Sequence, residues 1–371
     1  MKKIMLVFGT RPEAIKMCPL VNELKSRKSF ETIVCVTGQH RQMLDQVLNL
    51  FNVVPDFDLN IMKENQTLFD ITSSILLKIK NVLIKCNPDI VLVHGDTTTT
   101  FTTALACYYL NIPVGHVEAG LRTYNIYSPF PEEFNRQAVE IISKYNFAPT
   151  KLSAENLLKE GKNKKSIYVT GNTVIDAMRH TVNNQFKHSE LDWVGSSKLI
   201  FITAHRRENL GEPMRHMFRA IRKILENFSE CKAIYPIHMN PIVRKLAQEE
   251  LGTCDRIHII EPLDVLTCHN FEARCYLCLT DSGGIQEEVP SYGKPVLVMR
   301  NTTERPEGVI AGTLRLVGTD EVSIFNNVAE LIESQVSYEK MAKACNPYGD
   351  GHACERIADI LEGKKIVEWI R

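Results

Sequence analysis

The sequence predicts an α/β protein made of two doubly wound, Rossmann-like domains. Its 371 residues exceed what one hydrophobic core usually serves. A short apolar run followed by a turn and an amphipathic stretch recurs along the chain, which is the pattern of parallel strands joined by helices. The runs are continuously apolar, as expected of strands that are buried on both faces of a parallel sheet.

The apolar runs fall into two series, one for each domain. The first series predicts strands at IMLVF, ETIVCVT, DIVLVHG and IPVGHVEAG. The second follows a turn at Gly171 and predicts strands at KLIFITA, KAIYPIH, RIHIIEP, CYLCLTD and KPVLVMR. We therefore place the first domain at 1–170 and the second at 171–354, with a helix at 355–371 that joins the first domain. Ligands of such sheets bind outside the carboxyl ends of the strands, so we expect a ligand cleft between the domains.

Composition and charge restrict the partners of the chain. The formal net charge is zero and like charges form no blocks, which argues against nucleic acid and anionic membranes as partners. No apolar stretch reaches the roughly 18 residues of a membrane span, and the first residues show no signal-peptide cleavage site. The odd number of cysteines, 11, argues against a complete disulfide framework. We expect a cytoplasmic protein with a small-molecule ligand.

Cofactor and metal signals are weak. Cys268, His269, Cys275 and Cys278 lie close together, and the last two have CxxC spacing. If Cys275 and Cys278 share a buried strand, residues three apart point to opposite faces and could not hold one ion. The chain also lacks a GxGxxG turn after a strand and a GxxxxGK phosphate loop, which argues against bound NAD and ATP. We expect neither a metal nor a cofactor.

An anion site is predicted at the first strand end. In FGTRPEAIKM, Gly9 ends the strand and Pro12 occupies a favoured first helical position. Arg11 lies in the turn and Lys16 about one helical turn later, so both cations could face an anion at the helix N-terminus. A helix start with solvated charges is the alternative.

A second anion site is predicted in the other domain, at TDSGGIQEE. Ser282, Gly283 and Gly284 open a helix after a strand, and the glycines allow a phosphate to approach backbone donors. Glu288 could accept hydrogen bonds from a ribose diol. Arg305 adds a cation after the next strand. A plain helix cap explains the Ser-Gly-Gly turn equally well.

Four further side chains are candidates for acid and base chemistry. Asp96 follows a strand and is suited to be an N-cap. Glu118 ends an apolar strand, where an acid must be paired or functional. Glu132 lies one helical turn before Arg136, a spacing that also fits an ordinary ion pair. His205 follows another strand, and the two arginines after it could lower its pKa and keep it neutral.

Several motifs taken together give a family resemblance over almost the whole chain. The chain resembles the non-hydrolysing UDP-N-acetylglucosamine (UDP-GlcNAc) 2-epimerases through FGTRPEAIKM, QHRQMLDQV, VLVHGDTTTT, GHVEAGLR, PEEFNRQ, GNTVIDA, AHRRENLGEP, LTDSGGIQEE, TTERPEG and NPYGDG. The resemblance implies the GT-B two-domain fold, a homodimer and no redox cofactor. It implies UDP binding by Arg11, Ser282, Gly283, Gly284, Glu288 and Arg305. It also implies catalysis by Asp96, Glu118, Glu132 and His205, with Lys16 and Arg136 nearby.

The resemblance further implies a second UDP-GlcNAc, bound beside the substrate as an activator. The matching positions are Gln39, Gln42, Glu132, Arg206 and His238. The chain departs from the family at Asn65, where some bacterial members have an arginine in the activator site, and at Cys268, where many have an aromatic residue near the uracil.

The expected reaction interconverts UDP-GlcNAc and UDP-ManNAc by loss of UDP, formation of 2-acetamidoglucal and re-addition of UDP. Two acid/base groups on opposite faces of C2 are required, and the sequence does not assign them. Other readings are a UDP-sugar glycosyltransferase, a hydrolysing epimerase that releases ManNAc, and a sugar-nucleotide sensor without turnover.

Overall fold

The computed structural model describes residues 1–38, 41–63 and 65–369 of the chain. It contains two compact units, one formed by Met1–Ala177 with Tyr348–Arg371 and the other by Met178–Pro347. The first unit therefore extends past the predicted limit at residue 170. Its second segment begins at Tyr348, before the predicted start at residue 355. Two sets of hydrogen bonds explain the difference. The N–H of Asn172 donates to the carbonyl of Tyr348, and the carboxylate of Asp176 accepts from the N–H groups of Ala353 and Cys354.

The first unit contains a seven-stranded parallel sheet in the order β3-β2-β1-β4-β5-β6-β7. Its strands are β1 (Lys2–Phe8), β2 (Phe30–Val36), β3 (Phe57–Asp58), β4 (Ile90–His94), β5 (Val114–Val117), β6 (Tyr145–Ala148) and β7 (Ile167–Val169). Strand β1 is central, and its residues 4–8 are completely buried, as its apolar run predicts. All four strands predicted for this unit are present, while β3, β6 and β7 were not predicted.

Helices connect these strands on both faces of the sheet. They are α1 (Arg11–Ser26), α2 (Arg41–Leu50), α3 (Leu68–Cys86), α4 (Thr98–Tyr109), α5 (Glu132–Ile142), α6 (Lys151–Lys159) and α7 (Thr173–Thr181). Helix α3 shows the physical cause of this packing, because its buried residues Ile71, Ile75, Ile79 and Leu83 recur every fourth position and form one apolar face.

The second unit repeats the architecture with six parallel strands in the order β10-β9-β8-β11-β12-β13. The strands are β8 (Lys198–Thr203), β9 (Cys231–Pro236), β10 (Ile257–Ile260), β11 (Leu277–Thr280), β12 (Val296–Val298) and β13 (Leu314–Leu316). The helices are α8 (Ser189–Val194), α9 (Glu212–Asn227), α10 (Pro241–Leu251), α11 (Val265–Arg274), α12 (Gly283–Glu288), α13 (Pro306–Ala311), α14 (Glu321–Glu333) and α15 (Gln335–Ala342). The five strands predicted here are present, and β13 was not predicted.

The end of the chain returns to the first unit. Helix α16 (Ala353–Leu361) packs against α1, where Arg27 forms ion pairs with Asp359 and Glu362. Beyond the helix, the N–H of Trp369 donates to the carbonyl of Val169 and extends the edge of the sheet. This segment therefore completes the first unit.

Each sheet has one point where the strand order reverses direction. In the first unit the reversal lies between β1 and β4, and in the second between β8 and β11. In doubly wound folds, ligands bind at the carboxyl ends of the strands that flank such a point. The turns after these four strands contain or lead into several of the residues predicted to be functional, including Arg11, Asp96, His205 and Ser282.

Two general expectations concern the whole chain. All 11 cysteines are free thiols. Across the described ranges, no helix is both long enough and apolar enough to cross a bilayer.

Candidate active site

The turn after β1 is shaped by a glycine and a helix cap. A Cβ atom on Gly9 would lie 1.8 Å from Oγ1 of Thr37, so the turn excludes any larger residue. Thr10 caps helix α1, which begins at Arg11 and therefore places Pro12 second rather than first. Arg11 is half-buried and forms no ion pair with a described residue, so its charge is available to a ligand.

Glu13 joins this turn to the neighbouring one, and sequence reasoning missed it. One carboxylate oxygen accepts from the N–H groups of Gly9 and Thr10, at 3.0 and 2.8 Å, and the other accepts from the hydroxyl of Thr97 at 2.7 Å. Burial raises the pKa of Glu13, although these hydrogen bonds act in the opposite direction. Thr10 and Glu13 form a capping box, a spacing that could have identified Glu13 from the sequence.

Asp96 follows β4, and its predicted role as an N-cap is wrong. The cap of α4 is Thr97, whose side chain accepts from the N–H of Thr100. The Asp96 carboxylate instead pairs with Arg136, and its backbone carbonyl accepts from the Asn135 side chain at 2.9 Å. Helix α5 therefore holds Asp96 in place and leaves its carboxylate partly exposed, with 27% of the side chain accessible.

Glu132 and Arg136 share a helix face but do not form the ion pair that their spacing allows. Arg136 pairs with Asp96 and, at 3.3 Å, with Glu133. Glu132 is the first residue of α5 and is half-buried. It thus begins the helix that binds Asp96.

Glu118 follows β5 in a strained conformation. Its φ angle of +67° lies in the left-handed region, which is uncommon for residues other than glycine and often marks functional sites. Its carboxylate pairs with Lys16 and accepts from the Asn172 side chain at 2.9 Å. Lys16 is therefore the partner of Glu118 rather than a cation that faces an anion alone. A Cβ atom on Gly95, which precedes Asp96, would lie 3.7 Å from the Glu118 carboxylate, so the two acids occupy adjacent turns.

Two buried histidines lie behind these acids. His94 is 3.8 Å from the Glu118 carboxylate, and burial lowers its pKa to about 3, which keeps the ring neutral. His116 bonds to the carbonyl of Gly95 at 2.6 Å and lies 3.5 Å from Glu140, which accepts from the N–H of Gly120. His116 therefore holds the backbone just before Asp96, and Glu140 holds the backbone just after Glu118.

In the second unit, a buried aspartate organises the turn after β8. Asp281 is 0% exposed and accepts from the N–H groups of His205 and Arg206, at 2.9 and 2.8 Å, and from the side chain of Asn209. Sequence reasoning missed Asp281, although an acid at the end of an apolar strand is the signal that selected Glu118.

His205 has a lowered pKa, as predicted. Burial is the largest cause, while Asp281 acts in the opposite direction and His238 and Arg206 add to the lowering. Of the two arginines predicted to lower this pKa, only Arg206 is among the causes, and its effect is the smallest. The rings of His205 and His238 stack with centroids 5.2 Å apart, which places a residue expected in the activator site directly beside a catalytic candidate.

The Ser-Gly-Gly turn after β11 is flanked by arginines. Ser282 occupies the N-cap position of α12 but forms no capping hydrogen bond through its side chain, which argues against a plain cap. A Cβ atom on Gly283 would lie 3.5 Å from a nitrogen of Arg206 and 3.8 Å from one of Arg305. Arg305 also pairs with the buried Glu287. Arg206, expected only in the activator site, therefore joins Arg305 at this turn.

Glu288 ends α12 and faces back toward its start. A Cβ atom on Gly284 would lie 3.2 Å from Oε1 of Glu288. Glu288 also belongs to the one group in the described part of the chain that is spaced to hold a metal ion, with His269 and Glu272. The cysteines are not in this group. The prediction that Cys275 and Cys278 share a strand is wrong, because Cys275 is the C-cap of helix α11 and only Cys278 lies in β11.

The remaining residues expected in the activator site lie only partly within the described part of the chain. Gln39 lies outside the described residues, and so does the side chain of Gln42, although its backbone belongs to α2. Asn65 has a φ angle of +56° in the loop before α3.

Comparisons with known proteins identify the family of the chain. Acids paired with cations in the first unit and an arginine-flanked glycine turn in the second are the features of a two-domain α/β protein. The family model described as UDP-N-acetylglucosamine 2-epimerase matches residues 22–362. The chain belongs to this family, that of the non-hydrolysing UDP-GlcNAc 2-epimerases.

Individual relatives match over nearly their whole length. The UDP-N-acetylglucosamine 2-epimerase of Bacillus subtilis is 58% identical over 359 residues, covering 97% of this chain and 94% of the relative. A solved structure from Listeria monocytogenes is 51% identical with a TM-score of 0.93 and covers 99% of this chain and 100% of the other. The Neisseria meningitidis UDP-GlcNAc 2-epimerase, solved with UDP-GlcNAc bound, is 48% identical with a TM-score of 0.88, covering 98% and 100%. The predicted two-domain α/β fold is thus confirmed.

Proposed function

We propose that the protein interconverts UDP-GlcNAc and UDP-ManNAc by eliminating UDP to give 2-acetamidoglucal and adding UDP back. The observation that carries this mechanism is the pair of acid–cation contacts in adjacent turns of the first unit, Asp96 with Arg136 after β4 and Glu118 with Lys16 after β5. Membership of the family and the UDP-GlcNAc bound to the Neisseria meningitidis relative support the substrate.

The chemistry explains why acids and an anion site are both needed. The proton at C2 of the sugar has no neighbouring carbonyl, so a carboxylate cannot remove it at a useful rate while UDP stays attached. Departure of UDP leaves positive charge at C1, and the adjacent C2 proton then becomes acidic enough for a carboxylate base. Return of a proton to the other face, followed by addition of UDP, inverts C2.

We assign the nucleotide to the second unit. Ser282 and Gly283 open α12, and Arg206 and Arg305 approach Gly283, so the turn supplies both backbone donors and positive charge for a diphosphate. Glu288 accepts from the ribose hydroxyls. Arg11, a cation of the first unit that forms no ion pair with a described residue, contributes a further contact with the UDP group.

We assign the proton transfers to the first unit. Asp96 and Glu118 are the proposed bases, and each carboxylate pairs with a cation, Arg136 and Lys16 respectively. Glu132 is the third acid, and which acid serves which face of C2 is not assigned. His205 balances charge on the departing diphosphate. No step in this scheme uses a redox cofactor or a metal ion.

The decisive experiment is incubation of the purified protein with UDP-GlcNAc in heavy water. NMR should detect UDP-ManNAc, and both sugars should carry deuterium at C2 once equilibrium is reached. Product without deuterium would refute the elimination mechanism. Release of free ManNAc would indicate a hydrolysing enzyme, and transfer of the sugar to an acceptor without change at C2 would indicate a glycosyltransferase.

Two further expectations from the family are proposals of the same kind. A second UDP-GlcNAc activates the enzyme through a site that includes His238, and the protein is a homodimer. Steady-state rates against UDP-GlcNAc concentration test the first by their curvature, and light scattering coupled to gel filtration tests the second.

A further inference from the structure

A buried acid in the second unit has no role in the scheme above. Glu272 lies on α11 and is 0% exposed. No lysine or arginine among the described residues forms an ion pair with it. A buried ionised carboxylate without a cation is very costly, so the group must be neutralised in another way.

The surroundings of Glu272 are rich in acceptors. Its Oε1 atom accepts from the thiol of Cys268 at 3.2 Å, whereas Oε2 is buried and has no donor. Its carboxyl group contacts that of Glu288, and Nε2 of His269 lies 3.8 Å from Oε2 of Glu288. The reactive atoms of the three residues lie within 4.8 Å of one another. Two ionised carboxylates cannot hydrogen-bond, but one proton on Glu272 converts their contact into a hydrogen bond.

Electrostatics agree with a proton on Glu272. Burial first, and then the negative charge of Glu288, raise the pKa of Glu272 well above its usual value. The thiol of Cys268 already serves the other oxygen, so Oε2 is the atom left to carry the proton.

The orientation of Glu288 gives this hydrogen bond a consequence. One Glu288 oxygen, Oε2, faces the cluster on the His269 side, while Oε1 lies beside Gly284 in the turn assigned to the nucleotide. We propose that neutral Glu272 is a positioning residue that donates a hydrogen bond to Glu288 and fixes this carboxylate as the acceptor for the ribose hydroxyls. The inference rests on the proposed function, because it takes Glu288 as the ribose contact.

The test compares the binding of UDP and of 2′-deoxy-UDP by calorimetry. Glutamine at position 272 can still accept from Cys268 and donate to Glu288, so Glu272→Gln should bind UDP as the unmodified protein does. Glu272→Leu removes the donor and should weaken UDP binding about tenfold, the usual scale for a hydrogen bond to a charged group, with much less effect on 2′-deoxy-UDP. In turnover, KM for UDP-GlcNAc should rise while kcat changes little. Glu333→Gln, an exposed substitution in the same unit, is the control, and thermal unfolding shows that each variant is folded.

The outcomes separate this inference from the proposed function. If Glu272→Gln weakens UDP binding as much as Glu272→Leu, a carboxyl group is needed and the hydrogen-bond role is refuted. One equivalent of metal in the purified protein that is lost in Glu272→Gln would also refute it, since a cation would then replace the proton. Glu288→Leu, which removes the acceptor, tests the underlying assignment. If that variant still distinguishes UDP from 2′-deoxy-UDP, Glu288 is not the ribose contact, and both its ribose role and the positioning role of Glu272 fail. If only Glu272→Leu has no effect, the ribose role of Glu288 stands and the positioning role falls.

Discussion

The two switch points use the same backbone geometry for different electrostatic arrangements. In the first unit two of the proposed catalytic acids pair with a cation, Asp96 with Arg136 and Glu118 with Lys16. In the second unit two arginines approach one glycine at the start of a short helix. The first arrangement places two cations beside two neighbouring acids, and the second places positive charge beside the Gly283 backbone. The comparison supports the proposed division of labour, with proton transfer in the first unit and anion binding in the second.

The largest expected effect comes from the acids of the first unit. Asp96→Asn and Glu118→Gln should each lower kcat by about 10²–10⁴-fold, because an amide cannot accept the C2 proton. UDP binding should be unchanged, since the nucleotide is assigned to the second unit. Turnover assays and calorimetry measure the two quantities, and Glu155→Gln on the exposed face of α6 is the control. Full kcat in either variant would contradict the assigned role.

The next effect concerns Arg305 in the second unit. Arg305→Ala should weaken UDP binding about ten- to a hundredfold. It also removes one partner of the ion pair between Arg305 and Glu287, which is 2% exposed, and such losses cost about 3–5 kcal/mol of stability. The double variant Arg305→Met, Glu287→Gln should recover stability but not UDP affinity. Recovery of both would show that Arg305 is purely structural.

A third effect is the pH dependence contributed by His94. Its folded-state pKa of about 3 lies below the 6.5 of an exposed histidine, so the unfolded chain takes up the proton first as the pH falls. The contribution to stability is therefore complete above pH 6.5 and decreases toward pH 3, with about 2 kcal/mol lost at pH 5. Denaturant unfolding of His94→Gln should show a weaker decline over this range than the unmodified protein. The same decline in both proteins would be inconsistent with a neutral buried His94, and the exposed substitution His216→Gln is the control.

The smallest effect separates two of the causes of the lowered His205 pKa. Burial, His238 and Arg206 all lower it. His238→Ala should therefore raise the pKa of His205 while leaving it below 6.5, because burial is the larger cause. An NMR titration of the His205 ring measures the change. Met239→Ala removes an exposed, uncharged neighbour and should have no such effect, and an unchanged His205 pKa in His238→Ala would exclude the electrostatic contribution.

The sequence predicted the ends of the strands better than the partners of the side chains. Strand ends follow from local apolar runs and glycines, and the nine predicted strands place Asp96, Glu118, His205 and Ser282 in turns at carboxyl ends. Short strands such as β3 and β13 were missed because two or three residues carry too little pattern.

The partners depend on tertiary packing. Arg136 lies one helical turn from Glu132, yet it pairs with Asp96, which is 40 residues away in the chain. Thr97 rather than Asp96 caps α4, so the Asp96 carboxylate can pair with Arg136. Neither outcome can be read from spacing, because several residues satisfy the same local rule and the surrounding fold selects one. Glu272 was missed for the same reason, since its neighbour Glu288 comes from another helix.

The return of the chain to the first unit has a consequence for synthesis on the ribosome. The second unit is made of contiguous residues, 178–347, whereas the first needs Tyr348–Arg371 as well. Most of the first unit is translated before the second unit. Its fold is nevertheless complete only after the last residues of the chain have been synthesised. Chains truncated after Pro347 and released from the ribosome should contain a protease-resistant second unit and an incomplete first one.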